Sequence, residues 1–147
     1  TLQAAAAGVR RDGHGFAVLY VDLDGFKPVN DRFGHAVGDQ VLVQVAARLA
    51  QAARQDDVAA RLGGDEFALL QRGISDADNA HRLAERLVEA IGQPIEIESH
   101  SIQVGASVGI VISPADGTGA EELLRKADAA MYLAKGRGPG QVHRHGT

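Results

Sequence analysis

Two apolar runs, residues 58–62 and 67–70, are separated only by Gly63-Gly64-Asp65-Glu66. Four residues with two glycines suffice for a tight turn and are too few for a helical crossover. The two runs therefore join as an antiparallel hairpin, and the chain is committed to a sheet that is antiparallel at least in part. Residues 16–21, Phe-Ala-Val-Leu-Tyr-Val, form a short continuous apolar run that stops at Asp22-Leu23-Asp24-Gly25, the pattern of a buried strand. Ile102, Val104, Ala106, Val108, Ile110 and Ile112 alternate with Gln103, Gly105, Ser107 and Gly109, which predicts one half-buried strand.

Helical spacing fills the rest. Val37, Val41, Val45 and Leu49 recur every fourth residue and predict an amphipathic helix over 36–52. Leu83, Leu87 and Ile91 share a face of a second helix over 77–91. Thr118 and Glu121 have capping-box spacing ahead of a third, 119–135, carrying Leu123, Leu124, Ala127 and Met131 and stopped by the glycines at 136–140. Residues 1–12 are Ala-rich and read as part of a helix without a start signal, followed by a loop at 12–15. Two neighbouring strand pairs read as hairpins. The expected class is α+β, a mainly antiparallel central sheet flanked by helices.

The chain has 147 residues, enough for one domain and its core and little more. It has no cysteine, which excludes disulfides, thiolate zinc sites and cysteine nucleophiles, and fits a reducing compartment. Its net charge of −4 argues against general nucleic-acid binding, so a phosphorylated substrate would need local positive charge or a metal. No apolar run is long enough to span a membrane, and the opening residues lack the pattern of a signal peptide.

Chemistry concentrates in three places. The pair Asp22 and Asp24 ends the first strand; its carboxylates are read as pointing to different sides, one toward a site above the sheet, although a solvated turn would use the same residues. Asp65 and Glu66 sit at the hairpin tip, where adjacent carboxylates repel unless a cation is near. Magnesium takes such oxygen ligands together with substrate phosphates. Gly63 and Gly64 let a ligand approach the backbone. Gly25-Phe26-Lys27 lead into a short helix whose amides can cradle phosphate oxygens. Further on, Asp39 could accept both the N1–H and N2–H of a guanine, donors that adenine lacks, or simply favour a helix start. Asn30 lies in the same polar stretch, and His35 reads as structural.

Together these residues resemble the GGDEF family, named for the string standing here as Gly63-Gly64-Asp65-Glu66-Phe67. The block from Asp22 to Asp39, DLDGFKPVNDRFGHAVGD, is similar to that family's upstream signature, and Ser107-Val108-Gly109-Ile110 and residues 127–135 also match. The resemblance runs from about Phe16 to Lys135. It implies a nucleotide-cyclase-like palm fold, GTP as substrate and cyclic di-GMP plus pyrophosphate as products. It implies Mg2+ (or Mn2+) held by Asp22 and Asp65, with the Leu23 carbonyl and Glu66 assisting. Gly25, Phe26 and Lys27 would offer amides to the phosphates, Asn30 and Asp39 would read guanine, and Lys135 would approach the terminal phosphates. Asp65 or a metal-bound hydroxide is the candidate base. Each domain would hold one GTP, so turnover would need a homodimer. Arg54-Gln55-Asp56-Asp57 is similar to the family's product-inhibition motif, with Arg54 and Asp57 binding cyclic di-GMP; by itself such a pair is more often a helix-end ion pair.

The match departs at two places: the family's usual leader before the first helix is not seen, and the phosphate clamp differs. Family members often carry an arginine four residues after the lysine at 135, and here that position is Pro139, with Arg137 nearby. The expectation is a single cytoplasmic domain, 1–147, from a longer protein that could itself be membrane-tethered, with no membrane contact from this segment. The alternative is a catalytically weak GGDEF module that binds GTP or cyclic di-GMP and regulates a neighbour.

Overall fold

The structure, a computed structural model, describes residues 15–73 and 76–147. The helix expected over 1–12 and most of the loop at 12–15 lie outside the described residues. Strand β1 (Phe16–Asp24) runs through the apolar stretch and on into the acidic pair. It lies at the centre of a five-stranded sheet of order β2-β3-β1-β6-β7, formed with β2 (Val58–Gly63), β3 (Glu66–Arg72), β6 (Gly105–Ser113) and β7 (Val142–Arg144). The pairs β1–β3, β1–β6 and β2–β3 are antiparallel; β6–β7 is parallel. A separate ribbon pairs β4 (Ile95–Ile97) with β5 (His100–Ile102).

Among the described residues, four helices cover the sheet: α1 (Phe26–Phe33), α2 (His35–Ala52), α3 (Ala77–Ile91) and α4 (Ala120–Lys135). Period-two alternation along β1 divides the core in two. Ala17, Leu19, Val21 and Leu23 pack with α1, α2 and α3, including Val41, Val45, Leu49, Leu83 and Leu87. Phe16, Val18 and Tyr20 pack on the other face with Leu123, Ala127 and Met131 of α4. This is the expected α+β palm: a mainly antiparallel sheet between helices.

Three expectations need correction. Residues 102–112 are not one half-buried strand. They divide into β5 and β6, and β6 is buried on both faces. Gly109 makes room for α4 rather than facing water: a Cβ there would overlap the Ala127 carbonyl and the Met131 amide. Thr118 does not cap α4, because the capping position is Gly119, with no side-chain cap bond. Finally, Asp22 and Asp24 lie on the same side of β1, since residues two apart on a strand share a face. The ribbon strand β4 and the edge strand β7, three residues each, have no counterpart among the expected elements.

Candidate active site at the strand end and hairpin tip

Antiparallel register decides what meets at the end of β1. Asp22 lies opposite Glu66 on β3 and opposite Ser107 on β6. The β2–β3 turn is tied to this end by the Leu23 amide, which donates to the Asp65 carbonyl at 3.2 Å. Arg61 closes the turn by donating from Nε to the Gly64 carbonyl at 2.9 Å. Gly63 and Gly64 have φ of 151° and 50°, and a Cβ on either would meet nothing within 4 Å. The tip is thus bent by its glycines and left open above them. The fold brings Asp22, Leu23, Asp65 and Glu66 together from segments some forty residues apart.

The electrostatics of this group are unfavourable as it stands. Burial, then the Asp65 charge, pushes the Asp22 carboxyl up from 3.8 to about 6, against the opposing pull of Lys135. Tyr20 donates its hydroxyl to Glu66, and burial followed by that bond holds the phenol well above its ordinary range. Asp128 of α4 is also raised, by burial and then by Glu66. Among the described residues no three His, Asp or Glu side chains gather tightly enough to form a metal site by themselves. The donor set is nonetheless hard oxygen: two or three carboxylates and the Leu23 carbonyl. Repulsion that raises Asp22 is what a divalent cation would relieve, so these residues fit magnesium completed by substrate oxygens.

Lys135 supplies the local positive charge. Its Nζ lies 2.9 Å from Asp24 Oδ1, 3.2 Å from the Leu23 carbonyl and 3.5 Å from Asp22 Oδ2. Burial alone would lower its value, but the bond to Asp24 and the Asp22 charge outweigh it and the ammonium is raised. Arg137 is not part of this group. It lines a separate cleft of about 420 Å³ with His81, His143 and Arg144.

Across α1 and α2, Gly25 precedes α1 without a side-chain cap, leaving the first-turn amides of Phe26 and Lys27 free of one. Asn30 packs onto Gly38, where any side chain would collide with its Oδ1. The adjoining Asp39 is exposed. Asn30 and Asp39 therefore share one end of the α1–α2 pair.

Arg54 and Asp57 sit away from the tip. Asp57 is engaged with the backbone: its carboxylate accepts from the Arg54 amide at 2.9 Å and the Arg72 amide at 3.1 Å, fixing the turn into β2. The Arg54 side chain is not so engaged. It borders a cleft of about 760 Å³ with Arg48, Gln51, Arg86 and Gln93, and a smaller one with Gln71, Arg82 and Arg86. Gln71 Oε1 is buried there without a hydrogen-bond partner. Arg82 and Arg86 were missed in the sequence because helical arginines on an exposed face carry no signal until the partner loop is placed beside them. Ser107 and Tyr20 were missed because strand pairing alone brings them to the carboxylates.

A three-layer palm with strand-end and hairpin carboxylates defines a class of nucleotide-handling domain, and comparison with known proteins narrows it. The family model for "Diguanylate cyclase, GGDEF domain" matches residues 1–141, and the chain belongs to the GGDEF family. It is 50% identical over 137 residues to the bifunctional diguanylate cyclase/cyclic di-GMP phosphodiesterase MucR of Pseudomonas aeruginosa, covering 93% of this chain and 20% of MucR. The chain therefore spans about a fifth of that relative's length. Among solved structures it is similar to the GGDEF domain of YfiN (TpbB) from Pseudomonas aeruginosa, with a TM-score of 0.92, 35% identity, and coverage of 99% of this chain and 91% of that one. It is also similar to the coiled coil and GGDEF domain of DgcB from Caulobacter crescentus in complex with c-di-GMP, with a TM-score of 0.84, 27% identity, and coverage of 97% and 76%.

Proposed function

We propose that this domain is a diguanylate cyclase that condenses two GTP into cyclic di-GMP and pyrophosphate, with two copies facing each other to complete the site. The observation that carries this reading is the convergence of Asp22, the Leu23 carbonyl, Asp65 and Glu66 at one open glycine tip, with Asp22 raised by burial and then by the Asp65 charge. Mg2+, or Mn2+ in its place, would be held by Asp22, Asp65, Glu66 and the Leu23 carbonyl. When bound it supplies charge neutralisation of the phosphates.

The chain's own residues do the rest. The free amides at the start of α1 and the ammonium of Lys135 bind phosphate oxygens, and Asn30 and Asp39 read the guanine edge. In the reaction each ribose 3′-oxygen in turn forms a bond to the α-phosphorus of the facing GTP, the bond from that phosphorus to the α,β-bridging oxygen breaks, and one pyrophosphate leaves per bond formed, two in all. The hydroxyl proton leaves to a carboxylate, for which Asp65 is the candidate. Holding two nucleotides in line supplies much of the acceleration. A GTP-consuming reaction belongs in the cytoplasm. No helix among the described residues is long and apolar enough to cross a membrane. The domain is proposed as one piece of a longer signalling protein, supported by the relative of which it spans about a fifth.

The test is product formation from GTP with magnesium at low and high protein concentration, beside Asp65→Ala. Product rising more steeply than protein concentration, and vanishing in the variant, is the expected result. GTP binding without product at any concentration favours the second reading, a regulatory module. Pro139 at the usual clamp position is the feature favouring that outcome, and Pro139→Arg would then be the first restoration to make.

Product inhibition is proposed at the Arg54 clefts. Removing the exposed Arg54 side chain takes away one charged fork while leaving the Asp57-fixed turn in place, so Arg54→Ala is expected to weaken cyclic di-GMP binding by about tenfold or more. Unchanged affinity and inhibition, by calorimetry and initial rates, would sink it.

A further inference from the structure

Asp24 stands apart from the proposed metal ligands and is the most heavily engaged carboxylate of the region. Oδ1 accepts from Ser107 Oγ at 2.9 Å and from Lys135 Nζ at 2.9 Å. Oδ2 accepts from Ser107 Oγ at 3.0 Å and from the Gly140 amide at 2.9 Å. Four segments thus meet on one side chain that is 13% exposed: the end of β1, β6, the last residue of α4, and the glycine-rich loop 136–140 leading to β7. Gly105 leaves the space, since a Cβ there would press on the carboxylate at 3.3 Å. Three donors, one of them the Ser107 hydroxyl shared between both oxygens, already hold this carboxylate, so it is poorly placed to ligate a metal.

We infer that Asp24 is a positioning residue for phosphate binding: it fixes the Lys135 ammonium and the loop 136–140 at the edge of the site. The inference rests on the proposed contact of Lys135 with the nucleotide phosphates. Lysine has a long flexible stem, and an ammonium held by a neighbour loses less freedom when a phosphate arrives. The demand is greater here than usual, since position 139 is proline and contributes no cation, and Arg137 lines another cleft.

Charge and position predict opposite signs, which makes the inference testable. If Asp24 were merely an anion beside the site, Asp24→Asn would tighten phosphate binding by removing repulsion. A positioning role predicts weaker binding despite that gain. The probe is inorganic triphosphate with magnesium, measured by calorimetry, with guanosine as the phosphate-free control. Asp24→Asn is expected to lose about tenfold in triphosphate affinity, the value of one charge-assisted bond, with guanosine unaffected. Amide hydrogen exchange supplies a second readout: the Gly140 amide is expected to exchange faster in Asp24→Ala, while amides of the β1–β3 ladder keep their protection. Unchanged or tighter triphosphate binding in Asp24→Asn overturns the inference when Lys135→Ala does weaken it. If Lys135→Ala also binds triphosphate normally, the phosphate contact itself falls, and the inference with it.

Discussion

Asp22→Asn is expected to reduce turnover of GTP by about a thousandfold or more, as loss of a metal ligand in phosphoryl-transfer chemistry does. The same substitution is expected to make the metal-free protein more stable. The reason is the sign of the Asp22 shift. Its carboxyl titrates at about 6 in the folded chain against an ordinary 3.8, so between these values the folded state holds more protons than the unfolded one. Stability from this group therefore falls as pH rises from 4 to 6 and stays reduced above. At pH 8 the metal-free Asn variant should be about 1–2 kcal/mol more stable than the parent, a figure discounted because the side chain keeps some solvent contact. Below pH 4 the difference should vanish. Magnesium should raise the melting temperature of the parent more at pH 8 than at pH 5 and should do little to the variant. Equal melting temperatures for both proteins at pH 8, with equal response to magnesium, would show that Asp22 neither suffers the repulsion nor holds the ion.

The second large effect belongs to the core. Gly109→Ala should destabilise the fold by about 3 kcal/mol, toward the upper end for overpacking. A methyl at Gly109 overlaps main-chain atoms of Ala127 and Met131, which can move only if α4 moves as a whole. Because α4 ends in Lys135, the displacement should also reach the site, raising KM for GTP along with the loss of stability. Urea denaturation and initial rates measure both. A change within 0.5 kcal/mol would mean that α4 can shift off the sheet at little cost.

Neither effect can be read from local patterns, whose reach depends on the length of the signal. The amino-acid sequence speaks clearly for α2, α3 and α4 and for the β2–β3 hairpin, because their signals repeat over a dozen residues or sit in a tight turn. The acidic tip, the strand-end aspartates and Lys135 are legible because their spacing resembles one family so closely. Three-residue β4 and β7 are not, being too short to alternate, and β7 joins the sheet only by parallel pairing with β6. The alternation over 102–112 is real but has another cause than a solvent face: Gly109 marks close approach of a helix backbone, and Ser107 is turned onto the Asp24 carboxylate.

What the sequence by itself determined is therefore the family, the element types and the chemical character of the site. Tertiary structure alone decided which groups touch. It put Asp22 and Asp24 on one face, gave Asp24 to Ser107, Lys135 and Gly140, left Asp22 beside Asp65, and spent Asp57 on two backbone amides. Periodicity is a property of neighbours along the chain. Pairing, burial and charge repulsion are properties of neighbours in space, and those exist only after residues 44 to 97 positions apart have come into register.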